Sequence, residues 1–291
     1  MIRTLIKKGF SRVKRDRILN GTKLGNQHIV KQTSKSLPRY FNVSVYKLHE
    51  GCHDKKHQHV HKEEESRPLD ALHEALNLYN GEGVVKDEER AKKILHQLSE
   101  KDKTGEVFLA LSFIFLSEKN FEEAIKLGEK SIEMENNLAR NFLAHLFFHG
   151  GEGIEKDVKR AISLYETSVS KGNDDAMVAL SLILMNGVEN VVDKDLTRAV
   201  KLLEEACGMK NHEALYRYGL LLKNGIGVES NQEKAVEYLE YSSFLGNEKA
   251  LEKLAFIFIE KRENEKAINC FKILADRGNK VGISFFKNKT K

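Results

Sequence analysis

The sequence predicts an all-α fold, an α-solenoid of about six antiparallel helix pairs, and three observations carry that prediction. The alanines Ala91, Ala124, Ala161, Ala199, Ala235 and Ala267 recur at spacings of 33, 37, 38, 36 and 32 residues. Each is followed fifteen residues later by Glu106, Ala139, Ala176, Ala214, Ala250 and Gly282. A stretch of constant length joined to one of variable length marks stacked supersecondary units whose insertions fall in a loop. Composition agrees, because 291 residues with 41% hydrophobic content, two prolines and no tryptophan suit a long helical core.

Residues 1–20 come first and are basic. Ile2, Leu5, Ile6, Phe10 and Val13 gather on one side of a helical wheel, with Arg3, Lys7, Lys8, Arg12, Lys14 and Arg15 on the other. Residues 1–40 hold eleven Lys and Arg against the single acid Asp16, which leaves the remaining 251 residues at −5. An amphipathic, Arg-rich, acid-poor start without a continuous apolar stretch is the pattern of a mitochondrial transit peptide, not of a secretory signal. The alternatives are a basic arm that touches membrane or nucleic acid, and a simple tail.

Residues 21–69 read as a polar, disordered linker. It contains His49, Cys52, His53, His57, His59 and His61, side chains that suit zinc or copper. Closed metal sites pair short ligand couples across a folded unit, and no Cys-x-x-Cys couple exists here, so the tract is read as solvated and no metal ligand is assigned. Arg67-Pro68 marks the start of the first helix, because proline fits a first turn.

The repeats occupy residues 70–282. From each anchor alanine, apolar residues follow at +1, +3, +4 and +7 or +8, as in Ile162, Leu164, Tyr165 and Val169, or Val200, Leu202, Leu203 and Ala206. That spacing makes one helical face. The alanine at its head is too small to hold two helices apart and is expected at their closest approach. Stop signals close these helices at Lys171-Gly172-Asn173, Leu245-Gly246-Asn247 and Arg277-Gly278-Asn279, where glycine or asparagine can take the left-handed conformation. The stretches Ala139 to His149 and Ala214 to Lys223 supply the second helix of their pairs, with Lys223 expected near a solvent-facing end. A basic tail, 283–291, ends the chain.

Repeat five runs Ala214, Tyr218-Gly219, Leu222, Gly225-Ile226-Gly227-Val228, then Lys234-Ala235, Tyr238 and Gly246. This resembles the Sel-1-like repeat, a member of the tetratricopeptide-like superfamily. The glycine pair recurs at Gly81 and Gly83 and at Gly150, Gly151 and Gly153, whereas Ser117 to Phe121 and Glu260 to Asn264 form shorter, tetratricopeptide-type turns. The resemblance covers residues 70–282 and implies adaptors of many kinds. The layout, a targeting segment before the repeats, also resembles the mitochondrial death-ligand signal enhancer family, which implies a stress-signalling role.

No catalytic residue and no cofactor is expected. Cys207 and Cys270 fall on or near core positions, and three cysteines at such distances make no disulfide framework. His145 and His149 share a helix face without the Glu of a zinc-protease motif, and are expected at the surface or loop with no ligand role. The glycine turns join helix to helix and lack the Gly-Lys-Ser/Thr ending of a phosphate loop. No apolar run reaches the eighteen residues or so of a membrane span; the most apolar stretch is Phe108 to Leu116.

The expected function is a non-catalytic, mitochondrial protein-binding adaptor or scaffold that holds a partner segment on its concave face. Tyr216 and Arg217 are the candidate anchors, because aromatic and arginine side chains dominate interfaces. The structural alternative packs Tyr216 on repeat four and leaves Arg217 solvated. An organelle RNA-binding repeat is the competing class. Repeat lengths from 32 to 38 and a charge of −4 over residues 71–291 argue against it.

Overall fold

The computed structural model describes residues 68–287, and every regular element among them is an α-helix. The helices are α1 (Pro68–Asn80), α2 (Glu88–Ser99), α3 (Glu106–Ser117), α4 (Phe121–Glu133), α5 (Asn137–His149), α6 (Val158–Ser170) and α7 (Asp174–Asn186). They continue as α8 (Leu196–Gly208), α9 (His212–Asn224), α10 (Gln232–Phe244), α11 (Glu248–Glu260), α12 (Asn264–Asp276) and α13 (Lys280–Lys287). The chain forms two compact units that meet in sequence between Leu164 and Tyr165, inside α6. In the earlier unit α1 packs on α2 and α3 on α4; in the later one α7 pairs with α8, α9 with α10 and α11 with α12. Each unit is an α-solenoid of antiparallel pairs. Segments 1–20 and 21–67, with the histidine tract, lie outside the described residues, and α13 continues past the tail boundary drawn at 282.

The anchor alanines occupy the places their spacing predicts. Ala91, Ala124, Ala161, Ala199 and Ala235 are wholly buried, each at the fourth position of the second helix of its pair. Within α9 and α10 a methyl added to Gly219 would stand 3.2 Å from the Ala235 carbonyl oxygen and 3.1 Å from Leu239 Cγ. The two backbones therefore approach most closely where the small residues meet. Leu95, Leu203, Leu239 and Phe271, four residues after their anchors, fill the adjoining core. Burying one such side chain contributes about 1.5–3 kcal/mol.

Capping starts these helices, and it follows a rule that the alanine spacing alone did not reveal. Four residues before its anchor, Asp87, Asn120, Asp157, Asp195 or Asn231 accepts a bond from the amide of the residue just before the alanine. Glu263, at the same place in the last pair, makes no such bond. Each bond satisfies one of the orphan amides of a first turn and contributes about 1 kcal/mol.

Three expectations need correction. Glu106 is not the equivalent of Ala139, because it opens α3, whereas Ala139 is the third residue of α5. Phe108 holds that position, and the additional residues before α3 let Asp102 cap it, accepting from the amides of Thr104, Gly105, Val107 and Phe108. Asn173 and Asn247 do not terminate helices; with φ of −81° and −74° they cap the next ones, and the left-handed residue is the preceding glycine, Gly172 or Gly246. Lys223 is less open than expected, since its side chain is only 16% exposed and its ammonium lies 3.0 Å from Glu260 on α11.

The same junction carries Glu135 and Lys210 with φ of 62° where other repeats have glycine. An L residue held left-handed costs about 1 kcal/mol relative to glycine. Lys210→Gly is therefore expected to raise stability by about 0.5–1 kcal/mol, read as a higher denaturant midpoint. An unchanged or lower midpoint would show that the lysine side chain makes good the strain.

Candidate partner-binding surface

The asparagines that open the first helices of the pairs also join neighbouring repeats. Asn211 accepts from the amides of Glu213 (3.0 Å) and Ala214 (2.9 Å) through Oδ1, while its Nδ2 donates to Asp174 Oδ2 (2.9 Å) and Asp175 Oδ1 (2.8 Å) at the head of α7. Asn247 caps α11 in the same way and reaches back to the His212 carbonyl (3.2 Å) and Glu213 Oε2 (3.3 Å) on α9. Asn279 repeats the device, donating to Glu248 at 3.0 Å, and in the earlier unit Asn136 donates to the Thr104 carbonyl at 3.0 Å. Ser242 adds a 2.6 Å bond to the His212 carbonyl from the second helix of the pair. Successive first helices are thereby joined by polar bonds, part-buried at Asn211 and Asn247 and exposed at Asn136 and Asn279, and their outward side chains stand on one braced row.

Tyr216 and Arg217 belong to this row. Tyr216 is half-buried and packs against a cluster that includes Leu251, Leu254 and Ala255 of α11. Burial raises its phenol pKa, and Glu213 adds to the effect. Arg217 is also half-buried, its side chain 30% exposed, and pairs at 2.5 Å with Glu213 one turn earlier on α9. Its Nε is buried without a hydrogen-bond partner, so part of this guanidinium is unsatisfied in the described residues. Glu252, half-buried on α11 with a carboxyl pKa raised by burial, contributes to the field around Tyr216. The row thus carries an aromatic ring, one incompletely bonded guanidinium and several carboxylates.

The two described cysteines lie at the buried positions their spacing predicts. Cys207 and Cys270 are buried, and burial raises both thiols, Cys207 to about 12, so neither is a thiolate at neutral pH. Among the described residues no group of three or more metal-binding side chains occurs. His149 is exposed at the end of α5, but His145 is half-buried, with the two ring centroids 4.4 Å apart. Burial, with a smaller contribution from His149, depresses His145 to about 4.

That depression has a sign. The unfolded chain binds a proton on His145 near pH 6.5 and the folded chain only near 4, so this contribution is fully present above 6.5 and is lost as pH falls toward 4. Leu182 and Leu220 hold the equivalent position in α7 and α9. His145→Leu is expected to flatten the fall in melting temperature between pH 7.5 and 4.5, an effect on the order of 2 kcal/mol. An identical pH profile for the variant would place the acid sensitivity in other groups.

Six stretches, residues 75–103, 114–136, 137–173, 174–211, 212–247 and 258–279, match the family model for the Sel1 repeat. A Sel1 repeat protein from Oxalobacter formigenes has a similar crystal structure, with a TM-score of 0.64 and 22% identity over 72% of this chain and 88% of that one. A protective antigen of uropathogenic Escherichia coli strains, which displays an SLR fold, gives 0.58 and 22% over 74% of this chain, although only 47% of the antigen is spanned. No curated protein sequence matches significantly.

Proposed function

The chain belongs to the Sel1 repeat family, whose members are generally protein-interaction adaptors, and from that premise we propose that it captures a partner's polypeptide segment along α7, α9 and α11. The observation that carries this reading is the asparagine-braced row, on which Tyr216 and Arg217 are held by neighbouring groups. Rigid anchors lose little side-chain entropy on binding. The role is that of a scaffold, since repeat arrays of this kind present surface to other macromolecules.

The test is capture. Full-length protein bearing Tyr216→Ala and Arg217→Ala together is expected to lose about ten-fold or more in recovery of its partner protein, with helical content retained, as truncating central aromatic and arginine anchors does elsewhere. Undiminished recovery moves the site off α9. RNA that is enriched and survives high-salt washing favours the nucleic-acid reading instead.

The proposed setting is the mitochondrion, on the strength of the basic amphipathic segment 1–20. A fluorescent fusion is expected in that organelle, and in the cytosol once Leu5, Ile6 and Phe10 are changed to Asp. Import of the triple variant, or a cytosolic parent, refutes the assignment.

A further inference from the structure

The loop that follows the first helix is packed differently in the first repeat from the third and fifth. In the third repeat a methyl on Gly153 would overlap the Phe121 ring, which belongs to the second helix of the preceding pair, and Ile154 beside it is only 8% exposed. In the fifth repeat Gly227 takes the same role, its methyl position 3.1 Å from Val200 and 3.5 Å from Leu196 on α8, with Val228 half-buried. The glycine of this loop is therefore a seat for apolar side chains from the preceding repeat, and the following Val or Ile closes over them.

In the first repeat no described residue fills the seat. Gly83 keeps the left-handed φ of 71°, yet among the described residues nothing lies within 4 Å of where its methyl would stand. Val84 is 47% exposed and Val85 89%. Both valines border an open cleft of about 650 Å³ beside α1, whose rim carries Asp70, Glu74 and Asp87 against Lys86 and Arg90. Terminal faces of repeat arrays need a cap, because they otherwise leave apolar surface in water.

We propose that residues 39–48 of this chain, Arg39-Tyr40-Phe41-Asn42-Val43-Ser44-Val45-Tyr46-Lys47-Leu48, dock on this face as its cap. Position, chemistry and charge select that segment. It precedes Pro68 by about twenty residues, roughly 70 Å of extended chain, so the connection imposes no constraint. It supplies an aromatic side chain followed by β-branched ones, the residue types that Phe121 and Val200 bring to the seats of later repeats. Arg39 and Lys47 flank it, and no acid occurs between Asp16 and Glu50, which complements a rim with more carboxylates than cations. The segment lies outside the basic start, so the docking is independent of the targeting assignment.

Hydrogen exchange in the full-length chain tests this, with Phe41→Asp and Val84→Asp as single variants and as a pair. Phe41 is outside the repeats, so changing it disturbs them only through docking. Each single change is expected to speed exchange across residues 70–87 by about ten-fold or more, with the pair no faster than either alone, as for two sides of one contact. Exchange in Phe41→Asp equal to that of the parent overturns the proposal. So does protection of 70–87 in the parent that grows with protein concentration, since the occupant would then be a second copy.

Discussion

Asn211→Asp is expected to destabilise the unit beginning at residue 165 by about 2–4 kcal/mol at neutral pH, although it changes no side-chain volume. The aspartate retains the oxygen that caps α9, so the amides of Glu213 and Ala214 stay satisfied. What it loses is the buried Nδ2 that bonds Asp174 and Asp175, and it sets a third carboxylate within about 3 Å of both. Asn211 is only 3% exposed, so water relieves little of the repulsion; Asp174 and Asp175 are more open, which keeps the cost below that of a wholly buried clash. A carboxylate crowded in this way has its folded pKa raised above the unfolded value, so the folded state takes up the proton first and the deficit shrinks as pH falls toward 4. Asn211→Ala removes cap and bridge but adds no charge, and is expected to cost less at pH 7. Denaturant midpoints for both variants at pH 7 and 4.5 provide the check. A milder effect for Asp than for Ala at pH 7 would mean that the bridge to α7 carries no energy.

Ala235→Leu is expected to cost about 3 kcal/mol, the upper end of the range for overpacking. Leucine adds three carbons where Gly219 already stands with 3.2 Å between its would-be methyl and the Ala235 carbonyl. The obstacle is backbone, which cannot rotate aside as a side chain can. α9 and α10 would have to separate, exposing Leu239 and the core around it. Lys234→Ala, at an exposed position one residue earlier, is the matched control. Similar melting temperatures for the two would refute the assignment of Ala235 to the helix contact.

The anchor alanines were legible in the sequence because close helix contacts admit only small residues and recur once per repeat. Their period and the surrounding helical face gave the paired-helix architecture without any structure. The double duty of Asn211 and Asn247 was not legible. Each sits next to a helix-stop position, so it reads equally as the end of one helix or the start of the next, and its second bond depends on how far one repeat is displaced along its neighbour. Phe108 was missed because the first inter-repeat junction is longer and its cap moves to Asp102, which a fixed fifteen-residue offset cannot register. Lys223 follows the helical wheel to an outward position, but Glu260 on the next repeat covers it. For Tyr216 and Arg217 the pattern gave the position, while the α11 side chains around Tyr216 and the Glu213 partner of Arg217 emerged only in three dimensions.

The asparagine bridge also fixes where the chain can be cut and rejoined. Excising residues 212–247 would bring Asn211 directly before Glu248, the first residue of α11. The same side chain would then cap α11 as it now caps α9, and would still hold Asp174 and Asp175 behind it. The family's repeat boundaries at 211 and 247 fall on such an asparagine, and the one at 173 falls on an asparagine that caps α7. A duplication or loss in that frame preserves every junction it creates, whereas a cut in mid-helix preserves none. Growth and shrinkage of the array by whole modules is thereby written into a single amide side chain.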